Sequence, residues 1–79
     1  MKVRVKLYGT LSQRFPGYVY AEGMEVEIPD GATVRDLLAV LEISETEGAV
    51  VIAEGRILKT DEKVQHRVPV SILQAVGGG

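Results

Sequence analysis

Hydrophobic and basic side chains alternate from Lys2 to Leu7, and hydrophobic and acidic side chains alternate from Met24 to Ile28. A period of two is typical of a strand with one face buried. If these strands pair antiparallel, basic side chains of the first lie opposite glutamates of the second, each pair contributing roughly 0.2–1 kcal/mol. The pattern therefore predicts a hairpin whose charges are structural.

The connection from Gly9 to Gly23 is long for a hairpin. Residues 10–15 predict about one helical turn, in which Leu11 and Phe15, four positions apart, face inward together. The apolar and aromatic run from Tyr18 to Tyr20 is expected to prolong the hairpin.

A helical stripe follows the turn signal Pro29-Asp30-Gly31. Thr33 is a good N-cap, and Asp36, three residues later, suits the positive end of a helix. Because Asp36 is shorter than glutamate, we expect only an approximate capping box. Four apolar residues have the i, i+3, i+4, i+7 spacing of an amphipathic helix: Val34, Leu37, Leu38 and Leu41. This stripe requires a sheet to cover it.

The second half of the chain predicts three more strands. Residues 49–53 form a short apolar run, typical of a central strand covered on one face. Glu54-Gly55 indicates a tight turn into a short returning strand over residues 56–58. Residues 60–67 are polar and predict a surface excursion. Residues 68–76 form the last strand, with Pro69 at its start because proline cannot donate to a ladder.

The order strand, strand, helix, strand, short strand, strand predicts an α+β protein with the β-grasp, or ubiquitin-like, fold. In this architecture one mixed sheet curls over one main helix, and the first and last strands pair parallel at its centre. The expected organisation is a single domain over residues 1–76, followed by a flexible glycine tail over residues 77–79.

Composition excludes several classes of function. There is no cysteine, so neither a disulfide framework nor a thiolate metal site can form. A net charge of −2 and few aromatic residues argue against nucleic acid binding. No apolar run approaches the ~18–20 residues of a membrane span, so we expect a cytoplasmic protein without a membrane partner. His66 is the single histidine and has no identifiable catalytic partner. Asp61 with Glu62 has no visible acid/base counterpart, and neither has the acidic loop containing Glu42, Glu45 and Glu47, which is expected to be solvated. No metal or organic cofactor is predicted.

The chain switches from an apolar strand to Gly77-Gly78-Gly79 in one step. Glycine lacks a Cβ, so such a stalk can carry a terminal carboxylate into a narrow active site that bulkier residues could not enter. Three extended residues span at most roughly 10 Å. The alternative is an ordinary frayed terminus, but such termini are usually polar and mixed in composition.

Two segments resemble the ubiquitin-like sulfur carriers, which include the small subunit of molybdopterin synthase (MoaD) and the thiamine-biosynthesis sulfur carrier (ThiS). These segments are the turn and helix from Ile28 to Leu38 and the apolar strand ending in glycines from Ile72 to Gly79. The resemblance covers essentially the whole chain. Gln65-His66-Arg67 and Ala53-Glu54-Gly55 depart from turns common in this family, which leaves the subfamily open.

The resemblance implies a carrier and co-substrate rather than an enzyme, either free or as the small subunit of a synthase complex. Gly79 would be adenylated by an E1-like enzyme that uses ATP, converted to a thiocarboxylate by a sulfur donor, and used by an acceptor synthase subunit in molybdopterin or thiamine biosynthesis. Gly78 would keep the tail narrow and flexible, and Gly77 would loosen it further. The free protein is expected to be a monomer.

Two alternatives stay open. A ubiquitin-like modifier would form an isopeptide bond through Gly79, and this requires the same adenylated glycine. A non-catalytic β-grasp binding module would carry the glycines incidentally.

The last strand offers a candidate contact with partners. Alternate residues of this strand face opposite sides of the sheet, and the pattern leaves either set facing the helix. If Ile72 points inward, Leu73 lies on the open side near the tail, where an exposed apolar residue would mark a partner surface together with Gly77.

Overall fold

The computed structural model describes residues 1–17 and 22–74 of the chain. Its elements are, in chain order, β1 (Lys2–Leu7), a 3₁₀ segment (Gly9–Arg14), β2 (Met24–Glu27), α1 (Val34–Val40), a second 3₁₀ segment (Glu45–Glu47), β3 (Ala49–Ala53), β4 (Arg56–Leu58) and β5 (Val70–Gln74). Within these residues no helix is long and apolar enough to cross a membrane.

The five strands form one mixed sheet in the order β2-β1-β5-β3-β4. β1 and β5 are parallel, and the other neighbouring pairs are antiparallel. The central parallel pair and the crossover through α1 confirm the predicted β-grasp architecture.

The predicted charge pairing of the first hairpin is confirmed by its register. Lys2 lies opposite Glu27, and Arg4 lies opposite Glu25. The Arg4 Nη2 and Glu25 carboxylate are 3.7 Å apart, and both side chains are about half exposed, at 48% and 54%. An ion pair this exposed contributes little to stability, so its main role is to match the two strands.

Helix α1 lies on one face of the sheet through the predicted stripe. Val34, Leu37 and Leu38 are buried, and Leu41, which caps the helix after Val40, is buried with them. The expectation of an approximate capping box was wrong. Both hydrogen bonds are present, because the Thr33 N–H donates to Asp36 Oδ2 at 2.9 Å and the Asp36 N–H donates to Thr33 Oγ1 at 3.3 Å.

The polar segment 60–67 is more than a surface excursion. Val64 is only 3% exposed, and its N–H donates to the Ala32 carbonyl at 2.9 Å. Lys63 forms an isolated antiparallel bridge with Thr33. One buried valine and this bridge therefore attach the segment to the start of α1.

Three predictions fall on residues outside the described ones. They are the prolongation of the hairpin through Tyr18 and Tyr20, the end of the last strand at Ala75 and Val76, and the tail of Gly77, Gly78 and Gly79. The division into a domain over 1–76 and a tail over 77–79 therefore stays a prediction.

Candidate functional site

The site begins where β5 runs past its neighbour β1. The last paired residues of these strands are Leu7 and Ile72, and the Tyr8 N–H donates to the Ile72 carbonyl at 3.0 Å. On the other side β5 stays paired with β3 as far as Gln74, which lies opposite Ala49. Among residues 1–17 and 22–74, the register therefore pairs Gln74 with β3 and not with β1.

The first 3₁₀ segment occupies the place where β1 ends. Gly9 has a φ of +62°, a conformation that favours glycine, and the chain turns there out of the extended conformation. The turn brings Thr10 beside the end of β5, where its Oγ1 donates to Gln74 Oε1 at 2.9 Å. Gln74 Nε2 in turn donates to the Glu47 carbonyl at 3.2 Å.

Glu47 is held by an ion pair with Arg14. Arg14 Nη1 donates to Glu47 Oε2 at 3.3 Å, and Arg14 Nη2 donates to Glu47 Oε1. The Ser44 N–H also donates to this carboxylate at 2.8 Å. The hydrogen bond to Arg14 lowers the pKa of Glu47 and raises that of Arg14. We call the four residues Thr10, Arg14, Glu47 and Gln74 the tail-base cluster.

Sequence reasoning missed this cluster. Glu47 was expected to be simply solvated, but its side chain is only 25% exposed and is paired with Arg14. Thr10 and Gln74 are 64 positions apart, and Glu47 and Gln74 are 27 apart. No local pattern could bring them together, because their contacts depend on the order of strands in the sheet.

The open face of the sheet presents an apolar surface beside this cluster. Ile72 is fully buried toward the helix, so Leu73 points to the opposite face, where it is half-buried. Leu73 lies opposite Val50, and Ile52 lies opposite Ile57. We call these four residues the open-face patch; Ile57 is its most exposed member, at 67%.

A shallow groove adjoins the patch at the tail base. Leu73 and Gln74 form one side of it, and Tyr8, Gly9 and Thr10 form the other. The five residues beyond Gln74 can extend at most about 18 Å from it, which limits how far the Gly79 carboxylate lies from this groove.

The other candidates from the sequence stay apart from this site. His66 is exposed and lines a separate surface depression with Met1 and Asp30. Over residues 1–17 and 22–74, no group of three histidine or acidic side chains is placed to hold a metal ion. The expectation that no cofactor is bound stays a prediction.

Residues 5–79 match the profile of the ThiS family. The chain belongs to the ThiS family. No curated protein sequence matches it significantly.

Two solved structures are similar over nearly the whole chain. One is from Pyrococcus furiosus, a protein described as a candidate molybdopterin converting factor, subunit 1; it is 27% identical, with a TM-score of 0.67, and the match covers 96% of this chain and 99% of that one. The other is SAMP1 from Haloferax volcanii, which is 16% identical with the same TM-score of 0.67 and full coverage of both chains. At that identity SAMP1 supports the fold alone.

Family membership confirms the resemblance carried by residues 28–38 and 72–79. This protein is a member of the ThiS and MoaD-like sulfur carriers of ubiquitin fold. Members of this family are small carrier subunits and are generally not catalytic. That this chain acts as a co-substrate stays a prediction.

Proposed function

We propose that this ThiS-family chain carries sulfur on its terminal carboxylate, at Gly79. The observation that supports this most is the family match itself, which runs through the glycine terminus to residue 79. The position of β5 gives further support, because this strand lies between β1 and β3 and its last described residue, Gln74, is five residues before Gly79. The acceptor is a cofactor-biosynthesis enzyme of the molybdopterin or the thiamine type.

The chemistry follows from the weakness of a carboxylate as an electrophile. An E1-like enzyme first joins a Gly79 carboxylate oxygen to the α-phosphorus of ATP and releases pyrophosphate. The terminal sulfur of a donor persulfide then attacks the carbonyl carbon, and AMP leaves. A second thiol cleaves the resulting S–S bond, so that the thiocarboxylate is released and the two remaining sulfurs form a disulfide.

In this scheme the carrier supplies the reacting group and its partner supplies the catalytic groups. The partner must hold the Gly79 carbonyl in a near-attack geometry within a channel that excludes water. Gly78 and Gly77 have no side chains to collide with such a channel. ATP is consumed by the partner, and the carrier itself binds no cofactor.

The open-face patch is the proposed docking surface for the E1-like enzyme. Leu73 belongs to this patch and lies one residue before Gln74, so a partner seated there would be next to the start of the tail. Apolar residues left exposed on a sheet commonly mark partner surfaces. The acceptor synthase subunit would use the same end of the molecule in a later, separate complex, and the free carrier is a cytoplasmic monomer.

A ubiquitin-like modifier remains the alternative. It uses the same adenylated Gly79, but the activated carbonyl is transferred to a lysine amine instead of receiving sulfur. The two functions diverge after adenylation. An adenylation assay therefore tests both, and only the final product distinguishes them.

The experiment is ATP-dependent pyrophosphate release by the E1-like enzyme of the same host. The full chain is compared with a chain truncated after Gly77, which keeps every described residue. We expect release with the full chain and none with the truncated chain at equal thermal stability. Equal release from both, or from neither, would contradict adenylation at Gly79 and would favour a binding module.

A further inference from the structure

The tail-base cluster flanks the end of β5 beyond the last register pair with β1 among the described residues. β1 stops pairing at Ile72, two residues before Gln74. Beyond Ile72, the contact on the β1 side of β5 is a hydrogen bond that the Thr10 hydroxyl donates to the Gln74 side-chain oxygen. The same amide reaches the Glu47 carbonyl beside β3. One side chain therefore links both flanks of the last described residue of β5.

The two hydrogen bonds of the Gln74 side chain are too weak to hold the fold together, but they are strong enough to favour one direction of the β5 backbone at Gln74. Each hydrogen bond between neutral groups changes a local equilibrium by about 2- to 10-fold. Among the residues that the structure describes, a buried cluster of 17 hydrophobic side chains holds the domain together without them. The Arg14–Glu47 pair and the Ser44 N–H keep the accepting carbonyl in place.

We propose that the tail-base cluster positions the carrier tail for adenylation, with Gln74 as the central positioning residue. It holds the position and direction of the β5 backbone at Gln74. It thereby raises the fraction of docked complexes in which Gly79 reaches the adenylation site. This inference rests on the function proposed above and adds a specific positioning role for Thr10, Glu47 and Gln74.

The first test measures adenylation of Gln74→Ala by the host's E1-like enzyme. We expect kcat/KM to fall about 2- to 10-fold, the effect of one or two lost neutral hydrogen bonds. Gln13→Ala is the matched control, because Gln13 is an exposed glutamine on the adjoining 3₁₀ segment, and it should react as the wild type does.

A conservative pair separates positioning from folding. Thr10→Val removes the hydroxyl at nearly constant shape, and it should lower kcat/KM in the same direction as Gln74→Ala. Thr10→Ser keeps the hydroxyl and should restore most of the rate. Melting temperatures of all variants are measured alongside, and equal loss of rate in Thr10→Val and Thr10→Ser would overturn the assignment.

The decisive readout is binding to the enzyme with and without the terminal glycines. Gln74→Ala should weaken binding of the full chain but leave binding of the chain truncated after Gly77 unchanged, because only the full chain places Gly79 in the site. Equal weakening in both backgrounds would mean that Gln74 acts in docking and would overturn the inference. Normal adenylation of Gln74→Ala would overturn the positioning role and leave the proposed function standing. Failure of the enzyme to adenylate the wild type would overturn both.

Discussion

Two bidentate arginine–glutamate pairs occupy different places in this fold. In the tail-base cluster Arg14 pairs with Glu47, whose carboxylate also accepts the N–H of Ser44, three residues earlier. At the opposite end of β3, where Ala53 lies opposite Arg56, Arg56 pairs with Glu62, whose carboxylate accepts the N–H of Lys59, again three residues earlier. We call Arg56, Lys59 and Glu62 the loop cluster.

The two pairs differ in the group from which each glutamate backbone carbonyl accepts a hydrogen bond. The Glu47 carbonyl accepts the side chain of Gln74 at the base of the tail. The Glu62 carbonyl accepts the Val34 N–H at 2.9 Å, at the first turn of α1. Similar local chemistry thus fixes a loop in both places, but the first is connected to Gln74, five residues before the proposed reacting terminus at Gly79. Matched substitutions in the two clusters should separate function from stability.

The largest expected difference concerns the apolar residues beside the two clusters. Leu73 adjoins the tail-base cluster, and Ile57 directly follows Arg56 of the loop cluster. Leu73→Glu should reduce the affinity for the E1-like enzyme by about 10-fold or more, because burying a leucine side chain is worth roughly 1.5–3 kcal/mol. Ile57→Glu, on the far edge strand, should reduce it less. Titration calorimetry measures both affinities.

Circular dichroism provides the control for this pair. Both variants should fold, since neither side chain belongs to the core. If Leu73→Glu leaves the affinity for the enzyme intact, the docking surface lies elsewhere on the sheet. The same conclusion follows if Ile57→Glu lowers the affinity more than Leu73→Glu does.

Arg14→Ala and Arg56→Ala form the second comparison. Both should lower the melting temperature slightly, because each removes a bidentate ion pair at the surface. Arg14→Ala should also lower kcat/KM for adenylation by about 2- to 5-fold, the range for an exposed pair that acts through Glu47. Arg56→Ala should leave kcat/KM unchanged. The same loss of rate in both variants would show that the clusters do not differ in function.

The smallest expected difference is in pH dependence, where the two clusters should behave alike. Hydrogen bonds from Arg14 and Arg56 lower the pKa values of Glu47 and Glu62 below their ordinary 4.5. The unfolded chain therefore binds these protons more readily, so the stabilisation is present above pH 4.5 and is lost as the pH falls through the lowered values. Melting temperatures should fall from about pH 5 downward.

Substitution of either glutamate tests that assignment. Glu47→Gln and Glu62→Gln should each make the acid side of the stability profile less steep. An unchanged slope in both variants would assign the acid sensitivity to other carboxylates.

The fold could be predicted because its determinants are local. Alternation from Lys2 to Leu7 and the helical stripe from Val34 to Leu41 each specify an element within a few residues. The element order then leaves few ways to bury one helix against one sheet. Val64 escaped prediction because a single apolar residue in a polar segment has no period.

The site could be predicted only in part. The glycine terminus is visible in the sequence. The sequence left both orientations of the last strand open, and the burial of Ile72 in the structure shows that Leu73 faces outward. The tail-base cluster was not visible, because Thr10, Glu47 and Gln74 meet only after β1, β3 and β5 are assembled. Ion pairs and amide contacts between distant residues carry no periodic signal.

The most direct test of the sulfur-carrier account is intact-mass spectrometry of the protein isolated from its native host without reducing or alkylating treatment. The account predicts a species heavier by the exchange of one oxygen for sulfur, which fragmentation assigns to Gly79. Protein found only as adducts joined through Gly79 to lysine side chains would contradict sulfur carriage and establish the modifier alternative.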